Sequence, residues 1–189
     1  GYRESLKPGY KDFAQPHAVL ADMFEQADMV VVACTTVPLE ERSRYVPNQL
    51  PDPEVYTIAD CTVLEVIKCP SATLLHSGDT FRLVENLCLK DEKTPDGSVE
   101  TLLYRGDPYV FPIDPGRPYL IFSSSIYLYG GEEVAYWPSR YGILDIGSRE
   151  PTERETRALT TDPDAYRAME YVEALKLLTD EEAARLVND

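Results

Sequence analysis

The chain has no stretch approaching the roughly 18 to 20 consecutive apolar residues that a helix needs to cross a bilayer, so no transmembrane segment is expected in it. It has no low-complexity tract, and with 43% apolar residues it carries enough hydrophobic side chain to build a packed core. Histidine is scarce: His17 and His76 are the only two, set in different segments with no carboxylate at metal-ligand spacing. No pair of cysteines has the C-x-x-C spacing of a zinc knuckle or a redox motif. There is no G-x-S-x-G elbow around Ser123, Ser124 or Ser125, no glycine-rich phosphate loop and no dinucleotide fingerprint. These absences leave no cofactor, no metal and no strong catalytic constellation to expect.

Positive charge is also short. Against 33 acidic residues stand 18 lysines and arginines, a formal net charge of −15. A polyphosphate or an anionic lipid surface would meet repulsion on approach, so nucleic acid is not an expected partner. Proteins, peptides and neutral glycans remain open.

What is present reads as β structure. Residues 27–37, ADMVVVACTTV, form an apolar, β-branched run suited to a core strand. Before it, Val19, Leu20, Met23, Phe24 and Ala27 recur at helical spacing behind Pro16, so a short amphipathic helix is expected to lead into the strand. After it, the proline-rich residues 37–55 exclude a central strand. Residues 56–68, YTIADCTVLEVIK, follow as a long strand without clean alternation: Tyr56 and Ile58 share one face and Val63 and Ile67 the other. A bulge or bend is therefore expected near Asp60 to Thr62, and long bent strands of this kind close small barrels.

A turn at Ser77, Gly78 and Asp79 leads to a third strand at residues 80–86. Residues 87–116 read as an excursion from the barrel, with Thr94-Pro95-Asp96-Gly97 as the turn of a hairpin between LCLK and VETLLY. Residues 119–123, YLIFS, and 141–146, YGILDI, supply the last two barrel strands. Residues 1–15 read as a polar tether, 16–149 as the barrel domain, and 150–189 as a C-terminal helical extension. In that extension Asp162 and Pro163 start one helix, Thr179 starts a second, and the apolar stripes are expected to dock on the barrel.

The segments ADMVVVACTTV, YTIADCTVLEVIKC, SGDTFRLVEN, GRPYLIFSSS and RYGILDIG, across about residues 23–147, resemble the five-stranded OB barrel of the tissue-inhibitor-of-metalloproteinase and netrin-module group. The step from Val-Ile-Lys-Cys to Gly-Asp-Thr and the Gly-x-x-Tyr-Leu-x-Phe strand are similar to the pattern in that group's bacterial extracytoplasmic relatives. The resemblance implies a mainly β, OB-like barrel with an N-terminal helix. It also implies a binding or interaction module that is secreted or attached to the bacterial envelope. A start at Gly1 agrees with a signal or lipid-anchor segment upstream. The eukaryotic inhibitors chelate protease zinc through an N-terminal cysteine, and this chain has no cysteine before Cys34. Inhibition by that route is not expected, which leaves inhibition by another route, or a small hydrolase assembled around His76, as alternatives.

Within this frame the aromatic residues Tyr127, Tyr129, Tyr136, Trp137 and Tyr141, beside Gly130-Gly131, are the candidate ligand surface. Their alternation with Leu and Ile is equally that of a packed hairpin. Cys34, Cys61, Cys69 and Cys88 are disulfide candidates. Counting along the strands places Cys34 and Cys88 near Cys61, which permits a bridge without requiring one. Acidic groups at Asp91, Glu92 and Asp96, and at Glu132 and Glu133, lack calcium-loop spacing and read as solvated charge.

Overall fold

The computed structural model describes residues 2–6, 24–45, 56–69, 75–106, 110–129 and 133–146. Nine strands run through them: β1 (Arg3–Leu6), β2 (Met29–Thr35), β3 (Ser43–Tyr45), β4 (Tyr56–Lys68), β5 (Thr80–Glu85), β6 (Leu87–Lys93), β7 (Val99–Arg105), β8 (Tyr119–Tyr129) and β9 (Glu133–Asp145). The described chain is mainly β, with one short 3-10 turn at Leu39–Glu41 and helix at residues 24–26. The helix expected from residue 16 and the extension expected at 150–189 otherwise lie outside the described residues.

Strands β2, β8, β9, β5 and β4 are hydrogen-bonded in that order, and β2 also pairs with β4, so the five close into a barrel. All but one of these pairings are antiparallel. Strands β5 and β9 run parallel and meet at the single bridge Leu83 to Tyr136. Strand β4 closes the ring because it is long: residues 57–62 pair with β5 and residues 61–68 with β2. The short β3 adds only to the first three residues of β4, an edge position that the neighbouring prolines allow.

The bend of β4 falls later than its sequence suggests. Pairing with β5 is regular through Asp60 and Cys61, whereas the register with β2 slips twice, leaving Leu64 and Ile67 as the extra residues. Tyr56 and Ile58 do face away from Val63, but unbroken alternation already produces that, because the strand packs on both sides. Inward-facing Ala59, Cys61 and Val63 are buried, and Asp60 and Thr62 between them are exposed.

The barrel interior takes alternate residues: Met29, Val31 and Ala33 from β2, Phe81 and Leu83 from β5, Tyr119 and Ile121 from β8, and Tyr136 from β9. Burying each large apolar side chain contributes about 1.5 to 3 kcal/mol. On the opposite face of β2, β8 and β9, Val30, Val32, Leu120, Phe122 and Leu144 are fully buried too, as is Ile146 just past the end of β9. Burial on both faces is why MVVVA and YLIF read as unbroken apolar runs rather than alternating ones.

Strands β8 and β9 are longer than the apolar segments at 119–123 and 141–146. They continue as a hairpin, with Ile126 opposite Tyr136 and Tyr129 opposite Glu133. The ladder breaks at Pro138, where β9 gains several residues over β8 and Ser124 is then extra on β8. A proline that cannot donate to the ladder sits at the irregularity, so the sequence there reads as two strands and a loop.

The excursion is a second sheet, in the order β1, β7, β6. Its β6–β7 hairpin turns where Thr94-Pro95-Asp96-Gly97 directs it. Gly97 adopts φ +85° and its N–H donates to Thr94 O, while Asp96 Oδ1 accepts from Thr94 Oγ1 and from the N–H and hydroxyl of Ser98. Those donors hold the Asp96 carboxyl down at about 2. Residues 3–6, within the stretch read as a tether, are the β1 edge strand, parallel to β7.

Two further contacts anchor the barrel's ends. Lys68 Nζ donates to the carbonyls of Phe24 and Glu25 at 2.8 and 3.1 Å, placing a cation at the C-terminal end of the helix that precedes β2. Gly116 adopts φ +79° after Pro115, and its N–H donates to Thr35 O at 2.7 Å. A Cβ on Gly116 would meet no atom within 4 Å, so only its backbone conformation resists substitution. Gly116→Ala is expected to cost about 1 kcal/mol in urea unfolding. An unchanged midpoint would show that the turn relaxes without loss.

Candidate functional site

Strand alternation divides the aromatic residues. Tyr136 points into the barrel, is 4% exposed, and meets Phe81 edge to face at 5.6 Å. Trp137, the next residue, lies on the outer face, half-buried, with its ring 4.9 Å from that of Tyr56 at an interplanar angle of 73°. Tyr127, Tyr129 and Tyr141 belong to β8 and β9, and their side chains are outside the described set.

The surface around Trp137 is built by three strands. Ile58 from β4, Val84 from β5 and Ala135 from β9 are buried beneath Tyr56 and Trp137. On the same outward face of β4 and β5, Asp60 and Arg82 pair at 3.6 Å, both substantially exposed. The result is a pair of half-exposed rings on an apolar footing, flanked by an ion pair. Such a surface offers stacking area and hydrogen-bonding groups to a ligand laid across it.

Among the described residues the most concentrated buried polar chemistry was not read from the sequence. Arg42, just after the 3-10 turn, and Glu85, at the end of β5, form an ion pair with side chains 0% and 1% exposed. Arg42 Nη1 donates to both Glu85 oxygens at 3.1 and 2.9 Å, Nη2 donates to Ile113 O, and Nε donates to Val37 O at 3.1 Å. Glu85 also accepts from Ile113 N at 3.0 Å and from the Thr57 hydroxyl at 3.2 Å. Burial pushes the Glu85 carboxyl above its ordinary range, opposed by Arg42 and by the Ile113 and Thr57 donors. The network ties four separate segments to one end of the barrel and is closed to solvent, so its role is to fix the fold. One signal was present: in TFRLVE the inward positions read Phe81, Leu83, Glu85, which puts a carboxylate where an apolar residue belongs.

Arg117 and Asp145 make a second, partly exposed pair at 2.8 Å, and the Asp145 hydrogen bond raises the Arg117 guanidinium further.

His76 is largely exposed beside Asp79, 3.5 Å away, in the turn before β5, where its own N–H donates to the Asp79 carboxylate at 2.8 Å. His17 lies outside the described residues. Ser123 is buried and its hydroxyl donates to Trp137 O at 2.7 Å, bracing the strand irregularity. Asp91 accepts from the Thr101 hydroxyl across the β6–β7 hairpin. Among the described residues no group of three or more His, Cys, Asp and Glu side chains is arranged to hold a metal ion.

The cysteines do not gather as three. The structure holds all four as free cysteines. Cys34 pairs opposite Thr62 and Thr35 opposite Cys61, so Cys34 and Cys61 are neighbours across the ladder but project to opposite faces of the sheet. Cys88 lies in the second sheet against Tyr104, because the chain leaves the barrel at Asn86 instead of continuing alongside β4. Cys69 Sγ accepts from Leu75 N at 3.4 Å. Burial raises the Cys34 and Cys61 thiols above their ordinary values, which disfavours the nucleophilic thiolate.

No protein-family model and no curated protein matches this chain. Among the described residues no helix is long and apolar enough to cross a membrane.

Proposed function

We propose that the chain is an OB-type binding or interaction module, working outside the cytoplasm of a bacterium as a secreted or envelope-attached protein, with a peptide, protein or glycan as its ligand. The strand order of the barrel, with the third and fifth of its strands parallel, supports the OB reading beside the resemblance of the segments themselves. OB barrels take ligands on the outer face of their second and third strands, between the loop joining the first two strands and the loop joining the last two. Here those strands are β4 and β5, and the observation that carries the proposal is the Tyr56–Trp137 pair on that face. Tyr56 opens β4 directly after the first of these loops, and Trp137 follows closely on the second. The bacterial and extracytoplasmic parts of the reading rest on the resemblance. Fractionation of cells expressing the full gene tests them, and recovery in the cytoplasm would overturn them.

Trp137 is the only tryptophan, so tryptophan emission, excited selectively over the tyrosines, reports on this surface alone. Glycan and peptide arrays should yield a ligand that shifts the Trp137 emission on titration. Trp137→Ala should weaken that ligand at least about ten-fold, as expected for an aromatic at the centre of a contact. Arrays without a saturable ligand, or full affinity in the folded variant, would sink the assignment of the surface.

A further inference from the structure

The second sheet carries a different kind of surface along the edge of β7. That edge is taken by β1, a four-residue strand running parallel to it, with Arg3 opposite Leu102 and Leu6 opposite Arg105. The contacts that give this pairing its order are ionic. Glu4 sits 2.7 Å from Arg105 Nη2, and the Arg105 side chain is only 5% exposed, with its guanidinium 4.9 Å from the Phe111 ring centroid. Arg3 pairs with Glu100 at 2.9 Å, and the Tyr2 hydroxyl donates to Glu40 at 2.6 Å.

The strand is thus read by charge as well as by backbone. The protein body presents a shielded cation for the carboxylate of Glu4, an anion for Arg3 and a further carboxylate for the Tyr2 hydroxyl. Tyr2 and Arg3 are themselves exposed, so much of β1 lies on the surface and not in the core. A short edge strand with exposed side chains belongs to the part of a structure that opens most readily. None of these side-chain contacts depends on the covalent connection between β1 and the barrel.

We infer that the β7 edge is a docking site for an extended peptide strand presenting a cation and then a carboxylate at consecutive positions, and that Arg3–Leu6 occupies it in cis. The binding mode is strand addition: backbone hydrogen bonds supply the pairing, and Arg105 and Glu100 supply the selectivity. Arg105 and Glu100 lie on β7 of the second sheet and Tyr56 and Trp137 on the barrel strands, so the two assignments are tested independently.

The probe is a fluorescein-labelled peptide, Tyr-Arg-Glu-Ser-Leu-Lys, added to the full chain. A Glu4→Lys chain sets a like charge against Arg105 and weakens the cis competitor. That chain should bind the probe at least about ten-fold more tightly than the unaltered chain, since freeing an occupied site raises the competent fraction. The probe carrying Lys in place of its Glu should not bind. In the unaltered chain, excess probe should speed hydrogen exchange at residues 3–6 while residues 99–105 stay protected, a readout that does not depend on any variant folding. The inference is overturned by no saturable binding to a folded Glu4→Lys chain at about 1 mM probe, by equal binding of the Lys-bearing probe, or by unchanged exchange at residues 3–6. Adding Trp137→Ala to the Glu4→Lys chain should leave probe affinity unaltered; loss of affinity there would also overturn the inference.

Discussion

An Arg42→Ala chain is expected to lose about 3 to 5 kcal/mol of folding stability, the cost of stripping one partner from a fully buried ion pair. For a protein of this size that corresponds to a fall in melting temperature of roughly 6 to 20 °C. Glu85 would be left in a closed site with only the Thr57 hydroxyl and the Ile113 N–H among the donors that now reach it. The carbonyls of Val37 and Ile113 would lose the guanidinium as well. Replacing both members of the pair, Arg42→Met with Glu85→Leu, should recover only part of the loss. Removing both charges cancels the ionic penalty, but the backbone groups and the Thr57 hydroxyl still lack partners, at about 1 to 3 kcal/mol for each such group.

The pH dependence of the Arg42→Ala defect isolates the carboxylate. Burial already pushes Glu85 upward, and removing Arg42 takes away the largest opposing influence. A carboxyl whose folded value lies above its unfolded value, roughly 4.3, contributes fully below that unfolded value and loses stability as pH rises. The gap between wild type and Arg42→Ala should therefore be smallest near pH 4 and should widen toward pH 7. Urea unfolding at the two pH values measures it. A constant gap would assign the loss to the missing carbonyl contacts and packing instead.

Tyr136→Ala carries the other large expected effect, about 3 to 5 kcal/mol, the range for deleting a buried aromatic. Its ring packs on Phe81 inside the barrel, and its backbone makes the bridge between β5 and β9. Trp137→Ala, one residue on, should cost only about 1 to 2 kcal/mol, because the indole is half-buried and its defined ring contact is Tyr56. The functional consequences should run the other way: Tyr136→Ala, at a temperature where it is folded, should keep the ligand that Trp137→Ala loses. Equal stability losses in the two variants would contradict the inward and outward assignment of neighbouring side chains.

Much of the barrel was legible because its strands announce themselves by composition. The runs at β2 and β8 are apolar without interruption, and β4 was bounded correctly from Tyr56 to Lys68. The hairpin between β6 and β7 followed from Thr94-Pro95-Asp96-Gly97, whose residue types fit the turn that forms. The missed features are those in which one residue's meaning depends on distant segments. Pro138 looks like the end of a strand unless Ser123 is known to lie opposite it. Cys88 was placed near Cys61 by counting along the strands, although it already fell in the stretch read as an excursion, and it pairs opposite Tyr104 in the second sheet. Arg42 lies among prolines and charges in a loop, and nothing local says that Glu85, Val37 and Ile113 will enclose it. The aromatic surface was half legible: the residue types were noted, but assigning Tyr136 and Trp137 to opposite faces required the register.

The single parallel bridge between Leu83 and Tyr136 also bears on how the barrel comes into being. Strands β4 and β5 follow one another in the chain and can pair as soon as both exist. The β5–β9 seam must instead wait until the whole excursion and β8 have been made. Closing a long loop costs entropy before any contact repays it, so this seam belongs to the late, slow part of folding. Until then the free edges of β5 and β8 face outward, and for a chain emerging from the ribosome that interval is the period of greatest exposure to misassembly.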